Sequence, residues 1–130
     1  MLHSTNSLDI LYNIQYTVAI GESMTNESFE NVILELRRGV IVLAVLSCLN
    51  QEQYGYSLIK SLDENGLEID QGTLYPLLRR LEGQGLLQSA WRVETDRPRR
   101  YYVLSDEGRD LLPRLKAEWV GIVCMMKKIL

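Results

Sequence analysis

The sequence has few of the residues that build enzyme centres and metal sites. Its 130 residues include one histidine, His3, and two cysteines, Cys48 and Cys124. One histidine cannot supply a His-based metal site or a Ser-His-Asp triad within a single chain. The cysteines lie far apart, each in apolar sequence, which predicts reduced core thiols and argues against a disulfide framework. A cytoplasmic protein without a cofactor is therefore expected.

The chain also lacks a membrane-length apolar run and a basic leader. The longest uncharged apolar run, residues 39–49, is about half of the roughly 20 residues that a spanning helix needs. Residues 1–36 contain five acids and neither lysine nor arginine, so the basic lead of a signal peptide is missing. We expect no membrane contact. A hydrophobic share of 46% predicts one globular domain with a modest core and room for a subunit contact.

Positive charge is concentrated in one region, although the net charge of the chain is -3. Residues 79–100 contain three acids and six arginines, which are Arg79, Arg80, Arg92, Arg97, Arg99 and Arg100. Solvated surface charge is the ordinary explanation of any single pair of arginines. The fold must decide whether the whole set forms an anion-binding surface.

A first helix is predicted from about Ser28, a candidate N-cap, because apolar residues then recur every three or four positions. These residues are Phe29, Val32, Ile33, Leu36, Val40, Leu43 and Ala44. The β-branched stretch 40–46 alone also fits a buried strand, but it continues a helical period of about 20 residues, which favours the helix. Residues 1–27 show no clear period.

Three more helices and a β-hairpin follow. The second helix spans about 53–64 and ends at Asn65-Gly66, residue types that tolerate a left-handed cap. The third spans about 70–84 with its leucines inward, and Gly83 and Gly85 close it. The period then changes to two over 87–93, a turn follows, and residues 99–104 are rich in aromatic and β-branched types, which together indicate a hairpin. Ser105, with two acids after it, begins a last helix that should reach the C-terminus.

Three helices and a hairpin are the order of a winged helix-turn-helix, in which the third helix enters the DNA major groove and the hairpin reaches phosphates. The predicted fold class is mainly α with a small β-hairpin. Residues 28–104 form the DNA-binding domain, 105–130 a C-terminal dimerisation helix and 1–27 an N-terminal extension. The outer positions of the third helix are Thr73, Tyr75, Pro76, Arg79 and Arg80. The competing interpretation is a solvated face on which the two arginines pair with Glu82 or Glu35.

The last helix carries a stripe with alternating spacings of three and four, which are typical of a coiled-coil seam. Its members are Leu112, Leu115, Trp119, Ile122, Met126 and Ile129. The stripe predicts a homodimer, and packing within one chain is the alternative. Pro113 removes the hydrogen bond to the carbonyl of Arg109 and is expected to bend the helix.

In order and spacing, five features resemble the PadR family of bacterial and archaeal transcriptional regulators. They are LRRGVIVLAVLSCL (36–49), YGYSLIKSL (54–62), GTLYPLLRRLEGQGLL (72–87), RPRRYYVLSDEGR (97–109) and Trp119. The resemblance implies a dimeric winged helix-turn-helix repressor of the short form, whose members often respond to small aromatic compounds. It places Trp119 near the dimer axis, where two indoles can sandwich a flat ligand. An ordinary interface anchor is the alternative role of Trp119.

The expected partner is double-stranded DNA with a palindromic operator. We expect base contacts from Thr73, Tyr75 and Arg79. Phosphate contacts are expected from Lys60, Arg80, Arg97, Arg99 and Arg100, and from backbone N–H groups of Gln71 and Gly72.

Two other classes compete with a DNA-binding regulator. An enzyme is disfavoured because no base stands at a recognisable spacing to Tyr101, Tyr102, Ser105 or the acids, and no glycine-rich phosphate loop precedes a helix. A winged helix that binds protein would carry apolar residues on the outer face of its third helix. Arg79 and Arg80 occupy that face, which favours DNA.

Overall fold

The chain forms four helices and three strands over the residues that this computed structural model describes, 25–94 and 96–130. In chain order they are α1 (Asn26–Cys48), β1 (Gln53–Tyr54), α2 (Gly55–Glu64), α3 (Gln71–Gly83), β2 (Leu87–Glu94), β3 (Arg97–Leu104) and α4 (Asp106–Ile129). The predicted fold class, mainly helical with a small antiparallel sheet, is confirmed. Most of the predicted N-terminal extension lies outside the described residues.

The N-cap of helix α1 lies three residues before the predicted one. The backbone N–H of Ser28 donates to Oγ1 of Thr25 at 3.1 Å, so Thr25 caps the helix and Ser28 lies inside it. The prediction of Ser28 as N-cap is wrong, because both residues carry a capping hydroxyl and the apolar period alone does not choose between them. The chain divides into two units after Arg38. In the first, Arg38 pairs with Glu35 at 3.1 Å on an exposed surface.

Strand β1 replaces the predicted first turn of the second helix. Gln53 and Tyr54 pair antiparallel with Tyr102 and Tyr101, and α2 begins only at Gly55. The strand is two residues long, so it has no period that a sequence pattern can reveal. The resulting sheet has the order β1-β3-β2.

Leucines from the helices and from the sheet form the core of the second unit. The four inward leucines predicted for α3, Leu74, Leu77, Leu78 and Leu81, are all buried. They pack in one cluster with residues from the other elements: Ile41, Val45, Leu46, Leu49, Leu58, Leu62, Leu87, Tyr102, Leu104 and Leu112. Cys48 lies partly buried against this cluster, and burial raises the pKa of its thiol. Cys124 is exposed, so its predicted core position is wrong for the single chain.

The turns that follow α2 and α3 contain glycines at the positions that the sequence indicated. Gly66 and Gly85 have φ values of 89° and 82°, which glycine adopts without the steric cost that a side chain brings. Asp70 caps α3 by accepting from the N–H of Thr73 at 2.7 Å. Pro76 is the sixth residue of α3, so the helical bond that it cannot make is to the carbonyl of Gly72, at the exposed first turn.

Helix α4 is attached at its start and extends to Ile129, as predicted. Ser105 caps it by accepting from the N–H of Gly108 at 3.0 Å, and the same hydroxyl donates to the carbonyl of Gly85. A Cβ on Gly108 would collide with the carbonyl of Leu86, so the glycine permits close approach of α4 to the start of β2. The helix continues through Pro113 without ending.

Candidate nucleic-acid interface

The outer face of α3 is polar and open. Thr73, Pro76, Arg79 and Arg80 are exposed and Tyr75 is half-buried. Within the described ranges, Arg79 and Arg80 make no ion pair. The acids considered as their partners are engaged elsewhere, since Glu35 pairs with Arg38 and Glu82 with Arg100. Both arginines therefore present their full charge to an incoming anion.

Tyr75 is held against the start of α2 by a glycine. A Cβ on Gly55 would lie 2.6 Å from the phenolic oxygen of Tyr75 and 2.8 Å from its Cζ. A side chain at this position would require the ring to shift, so Gly55 permits the position that Tyr75 occupies. The sequence pattern gave no reason to link these two residues, although both belong to the quoted family motifs.

A groove of about 720 Å³ lies between the start of α2, α3 and the wing, the hairpin of β2 and β3. Its walls are formed by Tyr54, Gly55, Tyr56, Tyr75, Arg79, Trp91, Arg97, Pro98, Arg99, Arg100 and Tyr102. Five of the ten predicted DNA-contacting residues meet here, from two elements that are distant in sequence. The groove is open along β3 because β1 pairs only with Tyr101 and Tyr102. Apart from Tyr75, the aromatic residues of the groove were not among the residues predicted to contact DNA.

The other predicted contacts lie outside this groove. Lys60 lines a second depression whose other charged residues are all acidic, namely Asp63, Glu68 and Asp70. Gln71, Gly72 and Thr73 form the exposed first turn of α3, where the carboxylate of Asp70 already accepts the N–H of Thr73. A phosphate at this helix start would meet that carboxylate, which opposes binding there.

The outer face of the wing is a ladder of cations and aromatic rings. Arg92 forms an ion pair with Glu52, with Nη2 2.6 Å from Oε2, and its guanidinium lies 4.9 Å from the ring centre of Tyr101. The guanidinium of Arg99 lies 4.5 Å from the ring centre of Tyr54, and Tyr54 meets Tyr101 edge-on at 5.5 Å. Such contacts fix the side chains that make them.

Tyr101 completes the ladder by donating to Oε2 of Glu94 at 2.7 Å. This hydrogen bond to a carboxylate is the main reason why the pKa of the Tyr101 phenol is raised, because it favours the protonated phenol. The phenol therefore stays protonated as a donor to Glu94.

Arg100 is engaged within the protein. Its Nη2 lies 2.7 Å from Oε1 of Glu82 on α3, and its Nε donates to Oγ of Ser89 at 3.0 Å. Ser89 in turn donates to the other oxygen of Glu82. The guanidinium thus ties the wing to the C-terminal end of α3, a contact that the charge count did not reveal.

Two other kinds of site find no support in the described residues. These residues contain no helix long and apolar enough to cross a membrane. They also contain no cluster of three or more histidine, cysteine or acidic side chains that could hold a metal ion.

The helical core, the wing and the groove between wing and third helix define a winged-helix protein. Residues 42–114 match the model of the "Transcriptional regulator PadR-like family", and the chain belongs to this family of transcriptional regulators, as its motifs predicted. Members of the family are regulators and not enzymes. The protein is accordingly a PadR-type transcriptional regulator.

Solved structures and a curated relative agree with this assignment. A PadR family transcriptional regulator from Eggerthella lenta is 44% identical, with a TM-score of 0.73 over 80% of this chain and 93% of that chain. A PadR-like transcription factor from Bacteroides fragilis is 33% identical, with a TM-score of 0.65 over 77% of this chain and 99% of that chain. The transcriptional regulator Rv3488 of Mycobacterium tuberculosis is 39% identical over 79 residues, 60% of this chain and 74% of its own length.

Proposed function

We propose that the protein is a sequence-specific repressor that binds duplex DNA as a homodimer. The observation that carries this proposal is the convergence of Arg79 on α3 with Arg97 and Arg99 on β3 along one open groove. A surface that combines an exposed helix with a cationic wing suits a major groove and its flanking phosphates.

The contacts divide by the position of each side chain. Thr73, Tyr75 and Arg79 lie along the exposed length of α3, so they are our candidates for base edges, and an arginine forms two hydrogen bonds with guanine. Arg80, Arg97 and Arg99 flank that face and are assigned to phosphates, which set the register without reading sequence. Lys60, Gln71 and Gly72 have acidic neighbours and are weaker candidates.

The dimer is proposed to form through α4. Leu112 is buried and Leu115 is partly buried against the core, so the first part of the stripe packs within the chain. Trp119, Ile122, Met126 and Ile129 are exposed and continue the same spacing. An apolar seam of this kind is stabilised when a second copy covers it. A two-fold dimer in turn matches a palindromic operator.

A small aromatic effector is a further part of this proposal. Trp119 is partly exposed within the seam, and two such indoles across a two-fold axis offer flat apolar surfaces to a planar ligand. A ligand that favours a dimer with altered half-site spacing would release the operator. An aromatic ligand that quenched Trp119 emission without changing operator affinity would contradict this step.

Selection of bound sequences from random duplex DNA tests the proposal. A recovered palindrome with half-sites about one helical turn apart is expected. If the chain acts as a protein-interaction module instead, no sequence is enriched, and neither heparin nor random duplex binds at low salt. Binding that is lost as salt rises supports DNA recognition.

A further inference from the structure

The wing carries an exposed apolar face at its tip. Trp91 is 66% exposed and Val93 is 75% exposed. They stand two positions apart on β2 and so point to the same face of the sheet. Pro98, opposite Val93 on β3, is also exposed. Toward the base of the wing, the same face carries the buried pair Leu87 and Leu104, so a core-forming face continues outward into solvent.

Trp91 lies under a guanidinium that is itself held in place. Arg100 on β3 is paired with Trp91 on β2. Its Cζ lies 5.9 Å from the indole centre and 5.5 Å from the ring centre of Tyr102. Because Glu82 on α3 and Ser89 bind the same guanidinium, the indole is connected to α3 through Arg100.

We propose that Trp91 and Val93 form an apolar contact with the duplex beside the major groove that α3 enters, and that the Glu82–Arg100 bridge positions Trp91 for it. This inference rests on the proposed function. It adds a contact that is independent of charge to an interface otherwise built from arginines. Arg100 is then a positioning residue and not a phosphate contact.

The occupant is DNA because the apolar tip continues the cationic groove. Trp91 and Pro98 line the same groove as Arg79 and Arg97, so a duplex that meets the arginines also meets the indole. A major groove is about 12 Å wide, so an element beside the recognition helix reaches the sugar edge and the adjacent minor groove. Apolar side chains pack there and wedge against base steps.

Quenching of tryptophan emission tests the contact directly. The chain has two tryptophans, so Trp119→Phe leaves Trp91 as the only one, and the duplex affinity of this variant is the reference. We expect random duplex at low salt to protect Trp91 from acrylamide.

Duplex binding with Trp91 still fully accessible would overturn this proposal alone. Failure of the wild-type chain to bind duplex would overturn the proposed function as well. Protection that rises with protein concentration without DNA would assign the face to a second copy and overturn the proposal.

Affinity measurements at several salt concentrations separate an apolar contact from an ionic one. Trp91→Ala is expected to weaken duplex binding about tenfold with an unchanged salt slope, because an indole releases no counterions. Val93→Ala should weaken binding by a smaller factor. The matched control is Val120→Ala, which shortens an exposed valine on α4 and should not change affinity. A slope that falls with Trp91→Ala, or equal effects of Val93→Ala and Val120→Ala, would contradict the contact.

If Glu82 and Arg100 position Trp91, loss of their bridge should weaken DNA binding, whereas charge alone predicts tighter binding. Glu82→Gln removes a negative charge near the DNA and frees Arg100, so electrostatics alone predicts tighter binding. If the bridge positions Trp91, binding should instead weaken severalfold, and acrylamide protection of Trp91 on duplex should decrease. Arg100→Lys keeps the charge, loses the geometry and should act in the same direction. Tighter binding by Glu82→Gln with undiminished Trp91 protection would overturn the bridge.

Discussion

At the scale of single residues, the arginines divide by what each guanidinium touches. Arg92 and Arg100 are paired with Glu52 and Glu82, whereas Arg79 and Arg97 are exposed and make no ion pair within the described ranges. A guanidinium that is already neutralised by a carboxylate gains little from a phosphate. The proposed DNA-binding surface is therefore smaller than the number of arginines suggests, and each arginine without a carboxylate partner matters more.

Arg79 and Arg97 should differ in the kind of binding that they support. Arg79→Ala is expected to cost about 1–3 kcal/mol on a selected operator and to relax preference at one base pair. Arg97→Ala should weaken all sequences similarly and reduce the salt slope by about one. Titration of operator and random duplex at several salt concentrations measures the affinity loss and the salt slope of each variant. Equal losses on both duplexes from both variants would contradict the assignment.

Gly55 should be intolerant of even one methyl group. The Cβ of Gly55→Ala would overlap the Tyr75 ring, and overpacking of this kind typically costs about 1–3 kcal/mol, although alanine is the better helix former. Urea denaturation measures the loss. The double variant Gly55→Ala with Tyr75→Ala removes the overlap and should recover much of it. Additive losses in the double variant would show that the ring is not the cause.

At the scale of elements, the caps determine where helices begin and how firmly they are attached. Thr25 caps α1 on an exposed surface. Ser105 caps α4 while buried, and it also satisfies the carbonyl of Gly85 at the start of the wing. One hydroxyl thus joins α4 to the chain segment between α3 and β2. This links the proposed dimer helix to the proposed DNA-binding surface.

The two caps should differ in their contribution to stability. Ser105→Ala removes a buried hydroxyl that bonds both the carbonyl of Gly85 and the N–H of Gly108, and we expect a loss of about 2 kcal/mol in unfolding free energy. Thr25→Ala should cost about 0.5 kcal/mol, since water replaces an exposed cap. Chemical denaturation of both variants tests the difference. Equal losses would mean that burial of Ser105 adds nothing.

At the scale of the whole molecule, the two halves of α4 have different surroundings. The first half is packed against the core, and the second half presents an apolar stripe to solvent. Such a stripe on a small chain is unfavourable in water unless something covers it. A second copy satisfies this requirement and also supplies the two-fold symmetry that a palindrome needs.

A charge within the stripe should dissociate the proposed dimer. Ile122→Glu places a carboxylate in the seam, so we expect a monomer in sedimentation analysis and operator binding weakened by at least tenfold. Val120→Glu is the matched control, because Val120 is exposed on the same helix but lies outside the stripe. It should remain dimeric. Dimers of both variants, or monomers of both, would exclude this seam as the interface.

The sequence by itself determined the helices, the hairpin and the buried leucines of α3, because apolar spacing and turn chemistry are local properties. Its family motifs also identified the regulator class. Only the tertiary structure decided which of the arginines pair with a carboxylate, since the partners Glu52 and Glu82 come from distant positions. The short strand β1 and the fit of Gly55 to Tyr75 likewise depend on segments that meet only after folding. A local pattern carries no information about such encounters, so the proposed DNA-binding surface is defined only by the fold.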